Sequence, residues 1–192
     1  MRKAVFLDRD GVINEEVENL ARPEDFRLIE GAAEAILRLN ADGYLVVVAT
    51  NQPAIAKGFA SFKDMDRIHE RMMTLLAESG ARVDAVYVCP HHPEKGFPGE
   101  IRSLKVKCGC RKPEPGLMLK AMKELEVDAN GSWMVGDSPT DVEAGRKAGL
   151  KTILVGKKAP MTGECLTTET LSEAVDIITG NGRKRRKTAY IR

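Results

Sequence analysis

The sequence predicts an α/β fold, a parallel sheet with helices on both faces, and three observations carry that expectation. Short apolar runs rich in β-branched residues recur along the chain. Segments with helical apolar spacing fall between them. Polar, chemistry-bearing motifs sit directly after the runs. Near-continuous apolar strands suit a parallel sheet buried from both sides. Alternation of strand and helix builds such a sheet through right-handed crossovers.

Taken in order, residues 4–7 (AVFL) form a short buried-type run and predict the first strand. Strands are also predicted over 44–49, 83–88, 133–135 and 152–155, each rich in apolar side chains. Helical patterns occupy about 31–42, 62–79, 116–126, 140–148 and 168–179. Gly43, Gly80 and Gly149 follow three of these helices, where a left-handed residue ends a helix cheaply. Asp8, Thr50-Asn51-Gln52, Cys89 and Gly136-Asp137 then all fall at the carboxyl ends of strands. Ligands of open α/β sheets bind at that edge, so the four motifs are expected to form one site.

A chain of 192 residues suits one domain, expected over 1–180, followed by a basic, flexible tail over 181–192. With 43% apolar and 30% charged residues it has the composition of an ordinary soluble enzyme. The apolar run after Met1 is too short for a signal peptide and ends in Asp8, and no run approaches a membrane span. A cytoplasmic, monomeric protein that meets no membrane is expected. Residues 183–192 carry six basic side chains and no acid, which leaves the body at about −4. The tail reads as a solvated terminus, with nucleic-acid binding as the weaker alternative because no basic patch extends it.

Cys89-x-His91 and Cys108-x-Cys110 place four soft ligands in two close pairs. That set suits a closed tetrahedral Zn²⁺ site with no position left for water, so the metal holds a loop rather than doing chemistry. His92 is an alternative ligand to His91. Zinc accounts for a connection as long as 89–115, which a compact domain rarely carries bare. Cys165 is left over as a free thiol, and His69, in a helical stretch, reads as structural.

Asp8-Arg9-Asp10-Gly11 offers two carboxylates at i and i+2 after a strand. One can attack phosphorus, and the other can protonate the leaving oxygen and then take a proton from water. A polar turn is the plain alternative. Thr50-Asn51-Gln52 can hydrogen-bond phosphoryl oxygens, although Thr50 could instead cap a helix. Arg111-Lys112 brings cations to a pinned backbone, where they would stabilise phosphoryl charge. Asp137 and Asp141, four apart at a strand end, suit a hard cation such as Mg²⁺, although Asp141 also fits the first turn of a helix. No GxxxxGK[ST] loop is present, which argues against a nucleoside triphosphatase.

The runs Phe6-Leu7-Asp8-Arg9-Asp10-Gly11-Val12-Ile13-Asn14, Ala49-Thr50-Asn51-Gln52, Cys110-Arg111-Lys112-Pro113 and Gly136-Asp137 resemble the four signature motifs of the haloacid dehalogenase superfamily of phosphatases. Cys89-Pro90-His91-His92-Pro93 with Cys108-Gly109-Cys110 resembles its D-glycero-D-manno-heptose 1,7-bisphosphate 7-phosphatase branch. The resemblance implies a Rossmann-like parallel sheet with no large cap domain. It implies Asp8 as nucleophile, Asp10 as general acid/base, and Mg²⁺ on the Asp8 carboxylate, the Asp10 backbone carbonyl and Asp137. It implies phosphate binding by Thr50 and Asn51, with Gln52 beside them. Lys112 would bridge phosphate and nucleophile, and Arg111 would orient the distal part of a sugar phosphate. Structural Zn²⁺ would sit on Cys89, His91, Cys108 and Cys110.

Pro53-Ala54 departs from the family's usual Ser-Gly, which puts the roles of Gln52 and Lys57 in question. The sixteen residues between His91 and Cys108 make a long zinc loop. That length favours the bisphosphate sugar over histidinol phosphate, the nearest alternative substrate. A polynucleotide 3′-phosphatase is a more distant one.

Overall fold

The computed structural model describes residues 1–156 and 165–181. Six strands, β1 (Ala4–Leu7), β2 (Leu45–Asn51), β3 (Ala85–Cys89), β4 (Trp133–Gly136), β5 (Lys151–Val155) and β6 (Leu166–Thr168), form one sheet in the order β3-β2-β1-β4-β5-β6. Every neighbouring pair is parallel. The helices are α1 (Ala32–Ala41), α2 (Pro53–Ala56), α3 (Phe62–Glu78), α4 (Gly116–Leu125), α5 (Pro139–Lys147) and α6 (Leu171–Ile178).

Alternation along the strands sorts the core into two layers. Val5, Leu7, Val46, Val48 and Val135 face one way and pack with Ile36 and Leu39 of α1, Ile68 and Met72 of α3, and Val175 of α6. Ala4, Phe6, Val47, Ala49 and Met134 face the other way and pack with Leu117 and Met118 of α4 and Ala144 of α5. Both faces are therefore covered, which is why the central strands β1, β2 and β4 run apolar side chains on both faces rather than alternating. The connection from β1 to α1 and that from β3 to α4 contain only short 3-10 turns, Pro23–Asp25 and Arg102–Leu104, so no cap domain is present among the described residues.

Two elements differ from the sequence expectation. The segment over 168–179 is not one helix: Leu166–Thr168 is a sixth strand and α6 begins only at Leu171, capped by the Thr170 side chain. One turn of helix, α2, follows β2, with Gln52 rather than Thr50 at its N-cap. Gly43, Gly80 and Gly149 adopt positive φ of 79°, 75° and 78° and end α1, α3 and α5 as expected. The basic tail over 183–192 lies outside the described residues. No helix among the described residues is long and apolar enough to cross a membrane.

Candidate active site

Asp8 follows directly on β1, where its backbone N–H donates to Val135 O of β4 at 2.9 Å. The site thus opens beside the central strand, which β2 flanks on one side and β4, reached by a crossover from β3, on the other. Gly11 turns the chain back with φ 75°, and Asp137 passes so close that a Cβ on Gly11 would lie 2.2 Å from Asp137 Oδ2. Gly136 does the same for Asp141: a Cβ there would meet the Asp141 side chain at 2.2 Å. Both glycines leave room for an acid: bare Gly11 lets the first aspartate motif meet the last, and bare Gly136 lets Asp141 fold back on its own strand end.

Lys112 is the hub. Its side chain is 1% exposed, and Nζ lies 2.9 Å from Asp8 Oδ1 and 2.6 Å from Asp141 Oδ1 while donating to Ala49 O at 2.8 Å. Burial opposes its charge, but Asp8 and Asp141 outweigh that and raise the ammonium above its ordinary value. The Asp8 carboxyl is pushed up to about 7, first by burial, with Lys112 opposing and Asp141 and Asp10 adding to the rise. Asp141 is fully buried in the first turn of α5, where Oδ2 accepts from Ser138 N (3.0 Å) and Ser138 Oγ (2.8 Å).

Asp10 lines the same cleft, of ≈ 280 Å³, with Asp8, Asn51, Gln52, Lys57 and Asp137. Its carboxylate accepts from Asn14 Nδ2 and Gln52 Nε2, both at 2.8 Å, and from the guanidinium of Arg9. Gln52 Nε2 also donates to Thr50 Oγ1 at 2.9 Å, so the hydroxyl of buried Thr50 meets a neighbour rather than capping α2. Asn51 clasps the backbone of Lys112 both ways, accepting from its N–H at 3.0 Å and donating to its carbonyl at 3.1 Å. Strand β2 thereby fixes the segment that delivers the lysine. Arg111 donates to His91 O at 3.2 Å.

Cys89, His91, Cys108 and Cys110 converge with their ligand atoms within 4.8 Å of one another. Ligands bound at ~2.0–2.3 Å to one tetrahedral centre lie roughly 3.3–3.8 Å apart. The contacts among Cys89 Sγ, Cys108 Sγ, Cys110 Sγ and His91 Nδ1 run from 3.2 to 3.6 Å, so the donor set fits Zn²⁺. His92 points elsewhere, edge-on to the Phe97 ring at 5.9 Å, which removes it as the alternative ligand. Burial raises the Cys89 thiol well above its ordinary value, and a bound dication would invert that. The knuckle is pressed onto α4, because a Cβ on Gly116 would strike Gly109 O at 2.3 Å. The loop beyond it docks on the α2 turn: Ile101 N donates to Ala56 O at 3.0 Å, and a Cβ on Gly58 would strike Gly99 O at 2.2 Å.

Oxygen ligands also gather for a harder cation. One oxygen each of Asp8, Asp137 and Asp141 lies within 4.8 Å of the others. Oxygens held at ~2.1 Å around Mg²⁺ lie roughly 3–4 Å apart, so Asp8 and Asp137 fit it, while the Asp141 oxygens are engaged by Lys112 and Ser138. The sequence reading weighed Asp141 both as a cation ligand and as a helix-start acid; it stands at that helix start and also beside Lys112. Arg9 was missed: nothing in the spacing distinguishes a buried arginine between two acids from a solvated one.

The family model described as "HAD-hyrolase-like" matches residues 109–175. The D-glycero-beta-D-manno-heptose-1,7-bisphosphate 7-phosphatase of Pasteurella multocida (strain Pm70) is 44% identical over 163 residues, 84% of this chain and 86% of that protein. The D-glycero-alpha-D-manno-heptose-1,7-bisphosphate 7-phosphatase of Burkholderia mallei (strain ATCC 23344) is 40% identical over 153 residues, 80% of this chain and 79% of that one. The crystal structure of D,D-heptose 1,7-bisphosphate phosphatase from B. bronchiseptica, complexed with magnesium and phosphate, superposes with a TM-score of 0.81 at 31% identity, covering 93% of this chain and 99% of that one. With two aspartate motifs, a buried lysine and a Cys₃His knuckle at one sheet edge, and with relatives this similar along most of its length, the chain belongs to the D-glycero-D-manno-heptose-1,7-bisphosphate 7-phosphatase family of haloacid dehalogenase-like phosphatases.

Proposed function

We propose that the protein hydrolyses the 7-phosphate of D-glycero-D-manno-heptose 1,7-bisphosphate through an aspartyl phosphate on Asp8. The observation that carries this reading is the position of Asp8, at the strand edge against Lys112 and within ligand distance of Asp137 and Asp141. Two steps follow from the residues. The Asp8 carboxylate attacks phosphorus, the bond from phosphorus to the sugar's C7 oxygen breaks, and Asp10 gives that oxygen a proton. Water then attacks the phosphoryl group, its proton passes to Asp10, the bond to Asp8 breaks, and inorganic phosphate leaves.

Lys112 offsets repulsion between the Asp8 carboxylate and an incoming phosphate dianion, and its charge stabilises the equatorial oxygens as they gain charge. Asn51 holds the Lys112 backbone, and Thr50 and Gln52 support the strand end where phosphate binds. Mg²⁺ on the carboxylates of Asp8 and Asp137 and the backbone carbonyl of Asp10 would neutralise phosphoryl charge. Zn²⁺ on Cys89, His91, Cys108 and Cys110 would hold the segment that carries Arg111 and Lys112. Arg111 and Lys57, cationic groups beside the cleft or its pinned loop, suit the second phosphate of a bisphosphate; histidinol phosphate carries an amine there and would be repelled.

The test is phosphate release in Mg²⁺ from both anomers of the bisphosphate and from histidinol phosphate. The expected kcat/KM favours a bisphosphate anomer by about a hundredfold, or about 2.7 kcal/mol. Equal rates on the sugar and histidinol phosphate would overturn the substrate assignment and leave the phosphatase chemistry.

A further inference from the structure

Arg9 is fully buried although it stands between two acids at the mouth of a cleft. Its Nε lies 3.2 Å from Asp10 Oδ1, and its NH2 nitrogen lies 2.9 and 3.0 Å from the two Asp10 oxygens. The remaining nitrogen, NH1, faces away from the cleft towards α3, where it meets Met65 Sδ at 3.1 Å and His69 Nε2 at 3.3 Å. All five guanidinium hydrogens therefore have a partner. A guanidinium has no acceptor, so His69 Nε2 must be the acceptor of that contact, and the imidazole is neutral with its proton on Nδ1. Met65 and His69 are four residues apart and share one face of α3. The α3 helix is in turn fixed by core side chains on that side, Ile68, Met72 and Leu76 among them.

We infer that Arg9 and His69 are positioning residues for Asp10, a chain of hydrogen bonds by which α3 sets the direction of the acid/base carboxylate. The inference rests on Asp10 being the general acid/base, as proposed above. A free Asp side chain turns about χ1 and χ2, whereas proton transfer needs its oxygen aimed at one leaving atom. The bidentate grip of Arg9 removes the χ2 freedom, and His69 with Met65 holds the guanidinium in the plane that makes the grip possible. Asn14, whose Nδ2 donates to Asp10 Oδ1 at 2.8 Å, and Gln52 complete the arrangement. The Gln52 amide nitrogen donates to both Asp10 Oδ2 and Thr50 Oγ1. Stability alone does not identify such a role, because a buried ion pair is often replaced by apolar side chains at little cost.

The experiment compares two leaving groups. Wild type, Asp10→Asn, Arg9→Met, His69→Phe and His69→Gln are assayed in Mg²⁺ on the sugar bisphosphate, an alkyl ester that needs a proton on departure, and on p-nitrophenyl phosphate, whose phenolate departs without one. Losses are read in kcat/KM, which reports phosphoryl transfer to Asp8 and not the later water step that Asp10 serves for both esters; Asp10→Asn is expected to lose more of it on the alkyl ester. Arg9→Met is expected to follow the same pattern, with a loss of at least about tenfold on the alkyl ester and under about twofold on the aryl ester. His69→Phe is expected to lose about three- to fivefold on the alkyl ester alone, and His69→Gln, which restores an acceptor for NH1, to recover to within about twofold of wild type. Equal losses on both esters, or His69→Gln no better than His69→Phe, would overturn the positioning role. Should Arg9→Met not fold, the His69 pair decides by itself. If Asp10→Asn loses equally on both esters, the general-acid reading of Asp10 falls first and the inference with it.

Discussion

Lys112 keeps its charge at 1% side-chain exposure because two carboxylates and a carbonyl surround its ammonium. An unpaired ion at such a site costs several kcal/mol, so the acids and the lysine hold one another in place. The sequence made Asp8, Asp10, Asp137 and Lys112 legible because each follows a strand end or a zinc ligand, and chance would not align them on one edge. It left open the second partner of Lys112. An acid three residues into a helix, such as Asp141, looks the same in sequence whether it serves the helix start or a lysine from another segment. His69 shows the opposite limit: from sequence it reads as structural, and what it supports appears only in three dimensions. Burial, then the Arg9 charge, holds its imidazole down at about 4, against 6.5 when free of the fold. The unfolded chain therefore binds more protons between those values. The stability that neutral His69 contributes is complete above its unfolded pKa and is lost as pH falls towards 4. The loss reaches about 2 kcal/mol by about pH 5. Urea unfolding at about pH 7 and about pH 5 is expected to show it in wild type and not in His69→Gln; equal losses in both would assign the pH dependence to another group.

Among the elements, the strands over 4–7, 44–49, 133–135 and 152–155 were legible because their centres are buried on both faces and carry apolar runs; edge strand 83–88, half-buried and interrupted by Asp84, was legible by its three valines. Strand β6 was not: Leu166–Thr168 is a three-residue edge strand, largely exposed, with two threonines and no run to detect. Helix α2 is a single turn opening on Pro53, too short for any periodicity to register. The Cys/His knuckle was legible from spacing alone, but its two backbone contacts, Gly116 against Gly109 and Gly58 against Gly99, appear only in three dimensions. They explain why the loop should matter to both stability and activity, since it ties α4 and the α2 turn to the segment that carries Lys112. Removing the metal with a chelator, or Cys108→Ala, is expected to lower Tm by about 5–10 °C. The same treatment is expected to lower kcat at least about tenfold by loosening Lys112. A variant as stable as wild type but inactive would instead make the zinc a participant in the chemistry.

At the scale of the molecule, the sheet order explains why four separated motifs meet. The chain builds β1, adds β2 and β3 on one side, then crosses to β4 and β5 on the other, and the two halves diverge at the carboxyl end of β1. A crevice forms at such a reversal, and Asp8 stands in it. Strand ends were enough to predict that edge. The reversal itself was not legible, because apolar runs do not encode which neighbour a strand takes. The chemistry assigned to that crevice depends most on Asp8 as the group that receives the phosphoryl. It is tested by rapid acid quench of the protein with bisphosphate radiolabelled at the 7-phosphate, followed by peptide mapping, with Asp8→Asn in parallel. The expected result is label on the peptide containing Asp8 in wild type, with none in Asp8→Asn and turnover there reduced at least about a thousandfold. Label on another residue, or an Asp8→Asn protein that still turns over near the wild-type rate, would contradict it.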